Sequence, residues 1–471
     1  MDRSLLRALF RLRTRAAFAI SATAIATVVG CVSPEPQPLG AYHKPSLPAP
    51  TSEIQQTGFT QPKDAPLEPP LIAGPLALSD LTELTFARHP RLAQVTWAVE
   101  SARGKALQAG LYPNPTVNLT ADELNDKQGR GGILGVPYVT QEFVTAGKLQ
   151  LGRAAANKDV DAATLTVISE RYRVLTEMRQ AYFDALAVER RAEVLAALVK
   201  LSDKAVETAM KLEVAKVVAH IDVVQLEVDR ERYRADLEAA ERTVPAARRK
   251  LAAAVGVADL PARPLVGDMD RSPPGYDLAK LNDYMLEVNP QVRSASVGVE
   301  HAGLLLRRAE ADAIPNVTGG IGYTYQGQNK SHDWAIGLTV PAPLWNRNQG
   351  NIRAAKAQFG EAVAEVDRVR VELSGKLATA YTTYAGALAR VERYRATLIP
   401  KTRESYLLAE QAYKAGQFDY LKLVVTQRAV AEANLELIRS EADTWRAAAE
   451  IAGLILEDEW PVPRMGPPVK P

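Results

Sequence analysis

The sequence predicts a mainly α-helical fold with a small membrane β part, built as two tandem repeats of helix, two strands, long helix and return helix. Three observations lead there. From Leu78 the chain reads twice at an offset of about 200 residues: Leu81 to His89-Pro90 is answered by Leu281 to Asn289-Pro290, Tyr112-Pro113-Asn114 by Ile314-Pro315-Asn316, and Ala181-Tyr182 by Ala380-Tyr381. Trp334 to Val340 alternates strictly, with Trp334, Ile336, Leu338 and Val340 on one side and Ala335, Gly337 and Thr339 on the other, the period of a strand with two unlike faces. From Gly350 an Ala-rich helical pattern runs for about seventy residues. A repeat this long marks duplication of a domain-sized unit and not a solenoid.

Residues 1–30 differ from the rest. Arg3, Arg7, Arg11, Arg13 and Arg15 form a basic segment and Ala16 to Val29 is apolar and small, the order of regions in a secretory signal peptide. Val28-Val29-Gly30-Cys31 also resembles a bacterial lipobox, whose cysteine becomes the mature N-terminus and receives lipid; an ordinary signal with an incidental thiol is the alternative. Val32 follows, and not the Asp linked to inner-membrane retention, which points to the outer membrane. Removing residues 1–30 takes away five Arg and one Asp, so the formal charge goes from +2 to −2. Basic character therefore belongs to the signal, and nucleic acid loses its compositional support as a partner. Cys31 is the only cysteine, which excludes an internal disulfide. No later run reaches the ~20 apolar residues of a membrane helix, so any spanning falls to strands. Residues 31–75 hold eleven prolines, consistent with an extended polyproline strap or with a flexible linker.

The first repeat is placed at 76–260, the second at 261–456, and a Pro-rich tail at 457–471. Each repeat opens with a helix (Ser79 to Gly110; Leu278 to Ala313) that meets a Pro-Asn break. Strands are then expected at about 116–143 and 317–343. Val117, Leu119 and Ala121 alternate with Thr116, Asn118, Thr120 and Asp122, and a second run covers Ile133 to Phe143. In the second repeat Val317, Ile321, Tyr323 and Tyr325 oppose Thr318, Gly320, Gly322, Thr324 and Gln326, followed by Trp334 to Val340. Gly129 to Gly132 and Gly327 to Asn329 supply hairpin residues.

Four strands of about ten residues match the reach of tilted membrane strands. They cannot close a barrel alone, and an open sheet in lipid leaves edge N–H and C=O groups unsatisfied at several kcal/mol each. Other chains must complete it, and a homotrimer with a 12-stranded barrel is the smallest closure with a wide lumen. The alternative is a soluble sheet packed on helices. Tyr323, Tyr325, Trp334 and Trp345 suit the aromatic girdles of a barrel bathed in outer-membrane lipid. Pro341 and Pro343 end the alternation, and Asn346, Arg347, Asn348, Gln349 and Gly350 make the strand-to-helix transition.

The long helices are expected over Leu149 to Glu213 and Gly350 to Lys414, each about 100 Å long at 1.5 Å per residue. Their small residues and narrow apolar stripe suit antiparallel coiled-coil pairs, with Pro245 and Pro400 bending or interrupting them. The chain reverses at Val214 to Ile221 and at Ala415 to Leu421. Gly416 is suited to the left-handed conformation that ends a helix; Ala215-Lys216 stands near that position in the first repeat, which predicts a less tightly closed turn there.

The tandem unit, the lipidated start, the strand-to-helix passage and the Tyr413-Lys-Ala-Gly-Gln-Phe-Asp-Tyr-Leu421 turn together resemble the TolC family of outer-membrane efflux proteins, over about residues 78 to 456. Pro341-Ala-Pro-Leu-Trp-Asn-Arg-Asn-Gln-Gly-Asn-Ile352 is similar to the form in the cobalt, zinc and cadmium resistance branch. The first repeat departs from it with Glu142-Phe-Val-Thr-Ala-Gly-Lys148. The resemblance implies a trimeric exit duct, with the barrel in the outer membrane and a long α-helical barrel in the periplasm. It also implies a periplasmic adaptor protein and a proton-driven inner-membrane pump. The adaptor is expected to meet the tips at Ala215, Lys216, Gly416, Gln417 and Phe418. The family often carries acids six and nine positions after the turn glycine, where this chain has Lys422 and Val425. Asp222, Asp419 and Lys422 are therefore the candidate gate residues.

No catalytic or cofactor signature accompanies these features. Ala146-Gly147-Lys148 imitates the end of a phosphate loop, but Leu149 replaces the magnesium-holding Ser or Thr and Glu142 the first Gly. His43, His89, His220, His301 and His332 are scattered, so the three or four converging ligands of a tight transition-metal site are not expected within one chain. The reading is a passive duct, with no enzyme and no cofactor beyond lipid on Cys31, serving heavy-metal cations. Drug efflux or type I secretion by the same duct is the first alternative, and a non-pore lipid-anchored coiled-coil scaffold the second.

Overall fold

The structure, a computed structural model, describes residues 74–122, 133–327, 330–458 and 460. The signal segment, Cys31, the proline-rich strap up to residue 73 and residues 461–471 lie outside the described residues. The first repeat runs β1 (Leu76–Ala77), α1 (Leu78–Arg88), α2 (Pro90–Ala109), β2 (Thr116–Asp122), β3 (Ile133–Phe143), α3 (Lys148–Val214) and α4 (His220–Val255). The same succession follows as β4 (Leu265–Val266), α5 (Leu278–Val288), α6 (Pro290–Ala311), β5 (Val317–Gln326), β6 (Ser331–Thr339), α7 (Gln349–Arg393), a π segment (Tyr394–Leu398), α8 (Ile399–Lys414) and α9 (Tyr420–Leu454).

Each opening helix is two helices, where the sequence reading expected one over Ser79 to Gly110 and one over Leu278 to Ala313. His89 and Asn289 stand before proline, where ring sterics disfavour α backbone, and both are extended, at ψ 119° and 125°. Their side chains cap the helices that Pro90 and Pro290 begin. His89 Nδ1 accepts from Arg91 N–H at 3.3 Å and Asn289 Oδ1 from Gln291 N–H at 2.9 Å.

The long helices extend one residue beyond the predicted bounds at each end in α3. The two prolines expected to bend or interrupt helices act differently. α4 continues through Pro245, whereas the π segment lies just before Pro400. There Ile399 N–H reaches back five residues to the Tyr394 carbonyl, one turn-residue more than an α-helix allows.

The main core gathers where these helices cross. Leu175, Met178, Tyr182 and Phe183 of α3 meet Leu373, Leu377 and Tyr384 of α7 and Ile438, Trp445 and Ile451 of α9. Leu81 of α1 and Met285 of α5 complete the layer, and β1 pairs in parallel with β4, Leu76 opposite Leu265. Phe183 stacks on Trp445 with centroids 5.1 Å apart, and Trp460 meets both edge-on. The predicted tail thus begins inside the core. Buried Arg179 donates to the carbonyls of Glu457 (3.0 Å) and Asp458 (2.9 Å) and lies over the Trp460 ring. Burial pulls its pKa down to about 10, which leaves it cationic at neutral pH.

The four-stranded sheet is antiparallel in the order β2-β3-β5-β6. β6 starts at Ser331, three residues before the alternation begins, and ends at Thr339, short of the predicted 343. Between Gly135 and Tyr138 β3 carries one residue more than either neighbour. The bulge falls at Val136-Pro137, where proline has no N–H to give the ladder.

Candidate functional site

Three places along the chain hold the predicted site residues. In the sheet, register aligns Val117, Val139, Ile321 and Ile336 in one row and pairs Tyr323 with Trp334 on the same face. This face is open to solvent in the isolated chain. Trp334, Ile336 and Leu338 are 73%, 83% and 73% exposed. Tyr323 meets Trp334 edge-on at 5.4 Å, and Tyr325 approaches His332 at 5.0 Å. Tyr323 Oη also hydrogen-bonds His332 Nδ1. The sequence reading left His332 out of this cluster, although its position two residues before Trp334 was sufficient to assign it there. Trp345 lies beyond the other end of β6 and is also exposed. The opposite face is small and polar, with Gly320 beside Gly337 and Thr324 beside Asp333. Among the described residues the outer edges of β2 and β6 pair with no strand.

At the strand-to-helix joint the second repeat ties its polar side chains to itself. Asn348, at φ +60°, precedes α7 and donates through Nδ2 to the Ala309 carbonyl at 2.8 Å. Asn346 Oδ1 accepts from Asn348 N–H at 3.0 Å, Gln349 Oε1 from Arg347 N–H at 2.8 Å, and Asn348 Oδ1 from Asn351 Nδ2 at 2.6 Å. Gly147, at φ +66°, takes the same position before α3. There the buried Lys148 ammonium donates to Asn316 Oδ1 at 2.6 Å and to the Ile314 carbonyl, joining the two repeats. The sequence reading had dismissed Lys148 with the phosphate-loop imitation and missed this bond. Its partners lie more than 160 residues away, so no local pattern shows it.

The two tips are built alike. Lys216 and Gly416 both adopt the left-handed backbone, at φ +60° and +72°. Val217 N–H bonds the Leu212 carbonyl at 2.9 Å, and Gln417 N–H the Ala412 carbonyl at 2.8 Å. The first turn is thus as tightly closed as the second, contrary to the expectation drawn from Ala215-Lys216. The backbone bonds of the turn hold Lys216 in the strained region despite its Cβ. Both tips share one small core, Val206, Ala209, Val223 and Leu226 with Tyr420, Leu421 and Val424. Asp222 serves as a helix cap, its Oδ2 accepting from Ala219 N–H at 3.3 Å. Asp419 is exposed, 3.9 Å from Lys422 Nζ, and Lys422 lies 5.0 Å over the Phe418 ring.

Between sheet and tips a buried ion pair closes the core. Arg395, in the π segment, donates to Glu441 Oε1 at 2.6 Å and to the Met269 carbonyl at 3.1 Å. Burial pushes the Glu441 carboxyl up from its ordinary range, and Arg395 opposes this. Among the described residues no group of three His, Cys, Asp or Glu is placed to hold a metal ion, and no helix is long and apolar enough to cross a membrane.

Comparison with known proteins fits this geometry. The cobalt-zinc-cadmium resistance protein CzcC of Cupriavidus metallidurans is 23% identical over 389 residues, 82% of this chain and 91% of that protein. The outer membrane protein VceC of Vibrio cholerae superposes with a TM-score of 0.67 at 20% identity, covering 80% of this chain and 95% of that one. CusC, described in terms of folding and transmembrane channel formation, gives 0.66 at 15% identity over 88% and 98%. The family model for the outer membrane efflux protein matches residues 81–257 and again 281–455. Those two spans take in both long hairpins and all four strands of the larger sheet, and the chain accordingly belongs to the outer membrane efflux protein family.

Proposed function

We propose that this efflux channel is the passive exit duct of a tripartite pump, working as a homotrimer and carrying heavy-metal cations outward. The observation that carries the trimer is the sheet: an exposed apolar face with two open edges is costly in lipid, and three copies supply twelve strands that close into a barrel. The 67-residue α3 and its second-repeat counterpart then extend into the periplasm as the helical tunnel, and the two tandem repeats descend from one duplicated unit. The tips at Ala215, Lys216, Gly416, Gln417 and Phe418 face the periplasmic adaptor, which links them to a proton-driven inner-membrane pump, and Asp222, Asp419 and Lys422 surround the entrance. Lipid on Cys31 anchors the chain to the outer membrane. An efflux channel, the protein is not an enzyme.

The cargo rests on the similarity to CzcC and on the Asn-Arg-Asn-Gln-Gly segment. Deleting the gene is expected to sensitise cells to cobalt, zinc, cadmium or nickel; sensitisation to a drug panel alone overturns the metal reading. Cys31→Ser is expected to abolish incorporation of a labelled fatty acid, and persistent labelling refutes the anchor.

A further inference from the structure

The small face of the sheet contains a fitted pair that family membership does not assign. Tyr138 of β3 stands opposite Gly322 and between Asn118 and Gly322 in register, on the face away from Trp334 and Ile336. Its ring lies flat across three glycines of β5 and β6. A Cβ at Gly322 would come 2.2 Å from Tyr138 Cδ2; one at Gly320 or Gly337 would come 2.6 or 2.7 Å from Tyr138 Oη. No carbon tolerates such distances, so any side chain on this floor lifts the ring off it. All three glycines have ordinary negative or extended φ, so their need for glycine is space for the ring and not backbone freedom.

The exposed apolar rows assign the opposite face to lipid, which leaves the glycine face to the water-filled bore. We propose that Tyr138 is the residue that sets the bore of the β-barrel, held flat against the wall by the Gly320, Gly322 and Gly337 floor so that hydrated cations pass. A phenol that stands up from the wall narrows the lumen in all three subunits at once. The glycines thus act as positioning residues for an aromatic lining group. This inference rests on the duct reading above.

The test is unitary conductance of the full-length protein in planar bilayers. G322A is expected to lower conductance, Y138A to leave it at or above the wild-type value, and G322A/Y138A to restore it. An unchanged G322A, or a double variant that stays low, overturns the assignment. G337A offers a milder second variant, because its Cβ meets only the Tyr138 hydroxyl; Y138F removes that atom, so G337A/Y138F returns to wild-type conductance if the assignment holds and remains narrowed if it does not. A wild-type protein that inserts and never conducts overturns the duct reading and the bore assignment together. A conducting wild type with an unaltered G322A overturns the bore assignment alone.

Discussion

Arg395→Met tests whether the π segment exists to hold a buried ion pair. In a regular α-helix one residue fewer per turn would rotate Arg395 by about 100°, away from Glu441. The pair is close, 2.6 Å from Nη2 and 3.1 Å from Nε to Glu441 Oε1, and the Glu441 side chain is only 2% exposed. Removing one partner of a buried pair costs about 3–5 kcal/mol because the other charge is left unsolvated. Arg395 keeps 30% of its side chain in solvent, which places the loss near the low end, about 3 kcal/mol, or roughly a hundredfold in the folding equilibrium. The Met269 carbonyl adds little to this, since it keeps the Trp445 Nε1–H donor at 3.1 Å. Urea unfolding in detergent, followed by the fluorescence of Trp445 and Trp460 in the same core, reads the change. The double variant Arg395→Met/Glu441→Leu, which removes both charges, is expected to recover most of it. A single variant that loses under about 1 kcal/mol, or a double variant no more stable than the single, refutes the assignment of a buried pair.

Three further outcomes follow from the same structure. The raised Glu441 pKa means that the folded state holds this proton more tightly than the unfolded one, so the group's contribution is most favourable below the ordinary Glu value of about 4.3 and declines as pH rises from there through the raised pKa. Glu441→Gln is expected to flatten that slope, and an unchanged pH profile of the urea midpoint argues against it. Lys216→Gly relieves a left-handed residue at a gain of about 1 kcal/mol and slows hydrogen exchange at the Val217 amide about fivefold; Gly416→Ala does the reverse at Gln417, and parallel changes at both tips contradict the strain argument. Asn348→Ala removes both a residue suited to positive φ and the bond to Ala309, costing about 2 kcal/mol, visible as a lower thermal midpoint; an unmoved midpoint sinks it.

What was legible in the sequence is what repeats locally. Trp334, Ile336 and Leu338 alternate over a strand with unlike faces, and that alternation is visible to the eye because each residue's environment depends only on its parity. The long helices were legible for the same reason, as their Ala-rich stripe extends over many turns. Features resting on distant partners were not. β1 and β4 are two residues each, too short for any periodicity, and only their pairing across the chain defines them. Arg179 and Glu441 sit in helices full of charges, where nothing local marks them as buried; Arg179 is held by the carbonyls of Glu457 and Asp458, and Glu441 by Arg395, both distant in sequence. The breaks at His89-Pro90 and Asn289-Pro290 were within reach, since residues before proline disfavour helix; there the apolar periodicity on both sides concealed the stop.

The tips show how far one backbone design can diverge in chemistry. The left-handed residues, the helix-ending bonds and the restart of the next helix recur at an offset of 200, from Lys216 to Gly416 and from Ala219 to Asp419. Because main-chain bonds fix the turn, its side chains are free to differ, and they do: His220 answers Tyr420, Val218 answers Phe418, and Asp222 answers Lys422. Asp222 is committed to the Ala219 amide and His220 Nδ1 to Glu213 at 2.8 Å. In the second repeat the exposed carboxylate of Asp419 stands beside the Lys422 ammonium, which also covers Phe418. Asp222 therefore has a helix amide next to it, and Asp419 a cation. These neighbours offset the two carboxylates at short range, and charges more than about 8 Å apart are largely screened at physiological ionic strength. Under the function proposed above, selection among metal ions falls to the pump that loads the duct, and the duct's own proposed contribution is geometric: a closed wall, a set bore and two tips for a partner to grip.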